Sequence, residues 1–337
     1  MFTLDLLTLT GAILAIIHFN LPLIYYFYIT HVWLAKPWNI KVNSKYRPKV
    51  TIIVPTYNEA KLIEKKLDNI YEQEYPRDRL EVIVIDSAST DGTPDIVKNW
   101  IEKHRDIDLK LIVESERRGK AHALNYASKH ASGEVIVVTD VDSFWPRDAL
   151  VKTVKYFADH TIGAVSCLEK PTGQDVKGVE ESYRQYYNVV RVGESKAYAT
   201  PIFHGELVAF RRELLNKIGG FPIDIGADDS HTATRIALHG YRAIIPEDIV
   251  VEGLVPRGGY RVWRIRRAQH LIQYFVKTLK LKPKTPRTFK SILMIEAFLH
   301  LLNPWILFTA VILPLVSDSG KRSGGNAFSY RRGNANH

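Results

Sequence analysis

Cysteine is almost missing: the 337-residue chain carries one, Cys167. A single thiol supports neither a disulfide framework nor a cysteine metal cluster. The pattern Gly-x-Gly-x-x-Gly does not follow the first apolar run of the central region, which argues against a nicotinamide-dependent enzyme. Residues 6–35, "LLTLTGAILAIIHFNLPLIYYFYITHVWLA", hold no Lys, Arg, Asp or Glu. Residues 257–290 hold no acid. These two gaps in charge organise the rest of the reading.

The charge-free run is long enough to cross a bilayer, which takes about 20 apolar residues. It has no basic stretch before it and no small-residue cleavage site after it, so a removable signal peptide is not expected. Lys36, Lys41, Lys45, Arg47 and Lys49 follow at once. The positive-inside bias then places residue 36 onward in the cytoplasm and the N-terminus outside. Residues 1–36 are read as an N-terminal transmembrane segment in the cell membrane. Residues 291–316, "SILMIEAFLHLLNPWILFTAVILPLV", contain one acid, Glu296, and the helix-breaking pair Asn303-Pro304. They predict one kinked transmembrane helix or a hairpin of two short ones. Residues 317–337 are rich in Gly, Ser, Asn and Arg and aperiodic. They are expected to be a disordered, appended tail.

What is present fits a folded protein: 46% hydrophobic and 24% charged residues, in a length suited to one large domain or two modest ones. The formal net charge of +10 favours anionic partners. Much of it lies in the acid-free belt, from Arg257 through Arg261, Arg264, Arg266, Arg267 and Lys277 to Lys290. Within the belt Val262, Ile265, Leu271, Ile272, Phe275, Val276 and Leu279 recur at helical spacing. Residues 256–290 therefore predict basic amphipathic interfacial helices lying on an anionic membrane surface. The alternative is a basic face packed on the folded domain. The belt abuts an apolar segment and no nucleic-acid motif accompanies it, so nucleic acid is not expected as a partner.

Between the flanking segments, strand and helix patterns alternate. "VTIIVPTY", "LEVIVIDSAS", "LKLIVES" and "GEVIVVTDVDS" read as strands, with helical stretches between them. Near-continuous apolar strands of this kind predict an α/β fold with a mainly parallel sheet covered by helices on both faces. Ligands in such sheets bind beyond the carboxyl ends of the strands. Polar groups gather there: Thr56-Tyr57-Asn58-Glu59, Asp86-Ser87 and Asp140-Val141-Asp142. Residues i and i+2 of a strand share a side, so Asp140 and Asp142 present two carboxylates to one point. A hard divalent cation with oxygen ligands, magnesium, manganese or calcium, would remove their repulsion. The competing explanation is a pair of loop carboxylates capping the next helix.

"VPTYNEA" (54–60), "VIDSASTDGT" (84–93), "RRGKAHALN" (117–125) and "TDVDS" (139–143) resemble the successive motifs of glycosyltransferase family 2. "GELVAFRRELLNKIGGFP" (205–222) and "GADDSHTATRIALHGYRAIIPED" (226–248) resemble its acceptor-side segments. The resemblance spans residues 48–255 and implies a GT-A catalytic domain. It also implies that Pro55, Tyr57, Glu59 and Asp86 line the nucleoside pocket and that Gly119 and Lys120 close over the nucleotide. Asp142, helped by Asp140, would hold manganese or magnesium under the diphosphate. Asp229, supported by Asp228, would be the catalytic base. Where processive relatives carry Gln-x-x-Arg-Trp, this chain has Trp263 at the Gln position and Arg267 at the Trp position, so only the Arg of that pattern survives, as Arg266, which is assigned to the departing diphosphate.

The resulting expectation is an inverting, metal-dependent hexosyltransferase. It would use a nucleotide-diphosphate sugar, with a lean to GDP-mannose, and act on a lipid-linked glycan hydroxyl. A polyprenyl-phosphate mannose or glucose synthase is the alternative within the enzyme class. A non-catalytic, membrane-tethered nucleotide-binding module is the alternative outside it.

Overall fold

A computed structural model describes residues 5–172, 177–254, 259–281 and 284–332. Arg257 and Lys282 of the basic belt, and residues 333–337 of the tail, lie outside the described residues. In chain order the elements are α1 (Leu6–Tyr28), β1 (Val50–Thr56), α2 (Ile63–Tyr71), β2 (Leu80–Asp86), α3 (Thr93–Lys103), β3 (Asp108–Val113), α4 (Lys120–His130) and β4 (Val135–Val138). There follow α5 (Ala149–Val154), β5 (Ile162–Ser166), β6 (Leu168–Thr172), α6 (Lys177–Ala197), β7 (Val208–Arg211), α7 (Arg212–Lys217), α8 (Asp228–Leu238), β8 (Arg242–Ile244) and β9 (Val250–Leu254). The last helices are α9 (Tyr260–Thr278), α10 (Arg287–Leu301) and α11 (Asn303–Arg332).

The chain divides into two compact units, Ile29–Leu293 and the pair Met1–Tyr28 with Met294–His337. In the larger unit seven strands form one sheet in the order β3-β2-β1-β4-β7-β5-β8. The first four run parallel, as their apolar sequences predict. Strand β7 is inserted antiparallel between β4 and β5. This reversal brings the chain just before β7, residues 204–206, beside the carboxyl end of β4. A second sheet pairs β6 with β9.

The core explains the alternation. Ile52, Val54, Val82, Val84, Val135 and Val137 are buried in one cluster with Leu67 and Ile70 of α2 and Val97 and Trp100 of α3. Each such side chain contributes about 1.5–3 kcal/mol by leaving water. Most of α9 belongs with this unit, where Tyr274 and Phe275 are buried. Its other apolar positions, Val262, Ile265, Ile272, Val276 and Leu279, are exposed along one stripe.

The smaller unit is built on α1 against α11. His18 Nδ1 lies 3.0 Å from the Asn303 carbonyl oxygen. A Cβ on Gly11 would stand 2.9 Å from the Ala310 carbonyl oxygen and from Pro314, so only glycine permits this approach. Two segments, Leu6–Trp33 and Arg287–Asp318, are long and apolar enough to cross a membrane. The break expected at Asn303-Pro304 falls at Leu302, between α10 and α11. Helix α11 continues through Gly- and Ser-rich sequence to Arg332. Extending an existing helix fixes one residue per new bond, whereas a fresh nucleus must fix three.

The amino ends of the strands are tied as tightly as the core. Gly133 N donates to Thr51 Oγ1 at 2.9 Å, and Ser132 N donates to Glu81 Oε2 at 2.8 Å. A Cβ on Gly133 would come within 2.4 Å of Thr51 N. Gly133→Ala should therefore destabilise the catalytic unit by about 1–3 kcal/mol, the usual cost of overpacking. A lowered denaturant midpoint with an unchanged slope is the expected reading.

Candidate active site

The loops beyond β1, β2 and β4 hold the predicted residues. Asp86 ends β2, fully buried. Its carboxylate accepts bonds from Thr56 Oγ1 at 2.9 Å, Ser89 Oγ at 2.6 Å and Ser89 N at 2.8 Å. It thus anchors the loop in which Ala88 adopts a left-handed φ of 57°. Asn58, at φ 56°, clips the two loops together: its backbone N donates to Ser89 Oγ and its side-chain Oδ1 accepts from Thr90 N. Backbone strain of this kind costs about 1–3 kcal/mol per residue and persists where surroundings fix it. Tyr57 is 39% exposed and offers its ring to the cleft. The Arg117 guanidinium lies 3.9 Å above that ring, a contact the sequence did not suggest. Pro55 is half-buried beside it.

The acids meet one another. Glu59, expected at the base or ribose, has its pKa raised by burial and then by the charges of Asp142, Asp91 and Asp140. Asp142 is likewise raised, by burial and then by Asp140. Two neighbouring carboxylates with hard oxygen donors suit a divalent cation better than a helix cap. No side-chain bond from either aspartate caps the helix that follows.

Lys120 opens α4 directly after Gly119, whose φ of 104° favours glycine. Its ammonium sits 2.6 Å from Asp140 Oδ1. Burial opposes that charge, but Asp140, Asp228 and Asp229 outweigh it and hold the lysine protonated. The side chain is packed deep in the cleft and still touches solvent through its mouth.

Gly205 is the point of convergence. A Cβ there would lie 3.3 Å from Asp229 Oδ2, 3.4 Å from Asp140 Oδ2 and 3.9 Å from Lys120 Nζ. The donor-side aspartate and the acceptor-side aspartate therefore face one small space, about 90 residues apart in sequence. Asp228 and Asp229 stand in the first turn of α8. Burial and then Asp228 push the Asp229 carboxyl up to about 7, with Lys120 pulling the other way.

A second group lies next to this space. Ligand atoms of Glu169, His204 and Glu206 come within 4.8 Å of one another. Arg184 Nη1 bonds Glu169 Oε2, and Arg267 Nη2 stands 3.6 Å from the same oxygen. Burial and then Glu169 push Glu206 up to about 8, while Arg267 lowers it. Burial and the neighbouring arginines keep His204 neutral. Charge in the group is balanced by guanidinium, which leaves little to attract a cation.

Arg266 is exposed on α9 and, after burial, lowers the pKa of His270, with Asp228 opposing, while Arg267 stacks 4.7 Å over Trp263. Lys66 was missed altogether. It lies in α2 on the buried face with Ile63, Leu67 and Ile70, a helical period that was readable. Burial lowers its ammonium to about 7, and Asp140 and Asp142 act against that fall.

Comparison with known proteins follows this geometry. The family model described as "Glycosyl transferase family 2" matches residues 51–219. A mannosyltransferase from Pyrobaculum calidifontis, solved in complex with GDP-Man and Mn2+, is 54% identical with a TM-score of 0.86. The match covers 96% of this chain and 92% of that one. TarS of S. aureus in complex with UDP-GlcNAc shares the fold, at 22% identity and a TM-score of 0.56 over 74% of this chain and 72% of that one. Among curated relatives, beta-monoglucosyldiacylglycerol synthase of Synechocystis is 27% identical over 80% of this chain and 57% of its own length. Poly-beta-1,6-N-acetyl-D-glucosamine synthase of Staphylococcus epidermidis is 26% identical over 77% of this chain and 64% of its own length. The chain thus spans less than two thirds of these curated relatives.

The raised Asp229 carboxyl has a cost in stability. An unfolded aspartate titrates near 3.8, so between there and about 7 the unfolded chain holds fewer protons. Stability contributed at this position therefore falls as pH rises through that window. Asp229→Asn should melt above the wild type at pH 8, with the advantage shrinking toward pH 4. Thermal unfolding of the detergent-solubilised, metal-free protein would measure it.

Proposed function

The chain belongs to glycosyl transferase family 2 with a GT-A fold, and we propose that it is an inverting hexosyltransferase taking mannose from GDP-mannose to a lipid-linked acceptor. The observation that carries the reading is the meeting of Asp140, Lys120 and Asp229 around Gly205. Donor and acceptor chemistry need such a shared space. The neighbour crystallised with GDP-Man and Mn2+ supports the choice of sugar nucleotide and of manganese.

The residues divide the work. Asp142 and Asp140 would hold the divalent cation, which supplies positive charge to the diphosphate when bound. Lys120 adds a second positive charge at the same end. Tyr57 offers a face on which the base can stack, with Arg117 as a lid. Asp229, held near 7, is placed to take the proton of an acceptor hydroxyl. Asp228 tunes that base through its like charge. A phosphate acceptor is already a nucleophile and needs no base, so the presence of Asp229 favours a glycan hydroxyl. The exposed apolar stripe of α9, its arginines and the two apolar spans support a lipid carrier at an anionic membrane surface. The proposed orientation keeps the catalytic unit cytoplasmic.

Asp229→Asn should lower turnover about 10²–10⁴-fold while GDP-mannose binding persists. Wild-type turnover in that variant would point to a phosphate acceptor, and polyprenyl phosphate alone would then accept mannose. Binding of GDP with manganese but no sugar consumption with any membrane lipid would leave only a nucleotide-binding module. The rising limb of the pH–rate profile should fall near pH 7 and move to lower pH in Asp228→Asn, because the like charge that raises Asp229 is gone. A profile unmoved by that change would remove Asp229 as the titrating base.

A further inference from the structure

Lys66 is the one lysine fully buried among the described residues. It makes no ion pair there. Its ammonium donates to Thr139 Oγ1 at 2.8 Å and to the Ser143 carbonyl at 2.5 Å, and lies 4.3 Å from the centre of the Trp145 ring. Thr139 and Ser143 bracket the turn that carries Asp140 and Asp142. The two contacts therefore close the turn from below, like a clasp across its ends.

The clasp extends further. Thr139 Oγ1, Ser143 Oγ and Trp145 Nε1 all donate to the Glu206 carbonyl oxygen, at 2.9, 2.8 and 2.9 Å. Glu206 follows Gly205, the residue against which Asp140 and Asp229 converge. Two residues of α2 and one just beyond its end repeat the arrangement. Beyond Lys66, Asn69 exchanges two bonds of 2.8 Å with the backbone of Trp145, and Gln73 binds Pro146 O at 3.0 Å and Leu150 N at 3.2 Å. Positions 66 and 69 share a face of α2, and Gln73 follows its last turn. An apolar side chain of equal length would fill the place of Lys66 without the cost of burying an ammonium. What the ammonium adds is directed hydrogen bonding at one spot.

We infer that Lys66 is a positioning residue for the donor metal site, holding the Asp140–Asp142 turn at chelating geometry and coupling it to the Gly205–Glu206 segment on the acceptor side. The inference rests on the donor-site reading above. Groups that orient metal ligands without touching the ion typically change metal affinity about 10–100-fold when removed.

Manganese binding to the full-length protein in detergent, followed by the electron paramagnetic resonance of free Mn2+, provides the test. Lys66→Met keeps length and apolar bulk and removes the charge and its bonds. It should weaken Mn2+ binding about tenfold or more. Leu67→Ala, the next residue of α2 and equally buried, is the control for general destabilisation: it should lower the melting temperature with Mn2+ affinity unchanged. Unchanged or tighter Mn2+ binding in Lys66→Met overturns the inference, as does an equal loss in Leu67→Ala. Should Lys66→Met fail to fold, Thr139→Val decides. It breaks the link from Lys66 to Glu206, and weakened Mn2+ binding supports the inference while unchanged binding overturns it. Asp142→Asn separates the two readings, since full Mn2+ binding in that variant removes the donor site itself.

Discussion

The Glu206 carbonyl oxygen ties the two halves of the cleft together. Three side chains from the segment after β4 donate to it, and the backbone that bears it belongs to the segment before β7. Strand β7 can supply that backbone only because it enters the sheet antiparallel beside β4. Hydrogen bonding here is thus a consequence of topology. An unmet buried donor costs about 1–3 kcal/mol, so three donors aimed at one acceptor resist any sliding of one segment past the other.

That rigidity lets the cleft hold charges that repel. Asp140, Asp142, Glu59, Asp228 and Asp229 are gathered with one strongly held cation, Lys120. In a softer frame the acids would move apart. Held in place, Glu59, Asp142, Asp228 and Asp229 have raised pKa values, and the group suits a ligand that brings a divalent cation. The arrangement costs stability in the empty protein and repays it only in binding and turnover.

Much was legible in the chain itself. Apolar runs of β-branched residues placed β1, β2, β3 and β4, and the parallel order followed from their alternation with helices. The acids at the strand ends were singled out because ligand sites in parallel sheets lie at carboxyl ends, and Asp229 was singled out by the family resemblance alone. Other features were not. The approach of Arg267 to Glu169 depended on the rotation of α9 about its axis, which a degraded motif does not fix. Asp86 proved to be the anchor of its own loop, since Thr56 and Ser89 reach it first. The helical run to Arg332 depended on an upstream nucleus that local composition does not reveal. Lys66 lay in view on an apolar helix face, but charge alone gave no partner for it.

The sequence by itself determined which segments are strands, which apolar runs are long enough for a membrane, and which carboxylates stand at the open edge of the sheet. Those properties are local: side-chain period, β-branching and charge-free length act within a few residues of themselves. Tertiary structure decided which of these groups face one another. Gly205 meets Asp140 and Asp229, and Lys66 meets Thr139 and Ser143, across 24 to 77 residues of chain. Such contacts are set by the sheet order and by the single reversed strand, and no local pattern encodes the direction in which a strand enters a sheet.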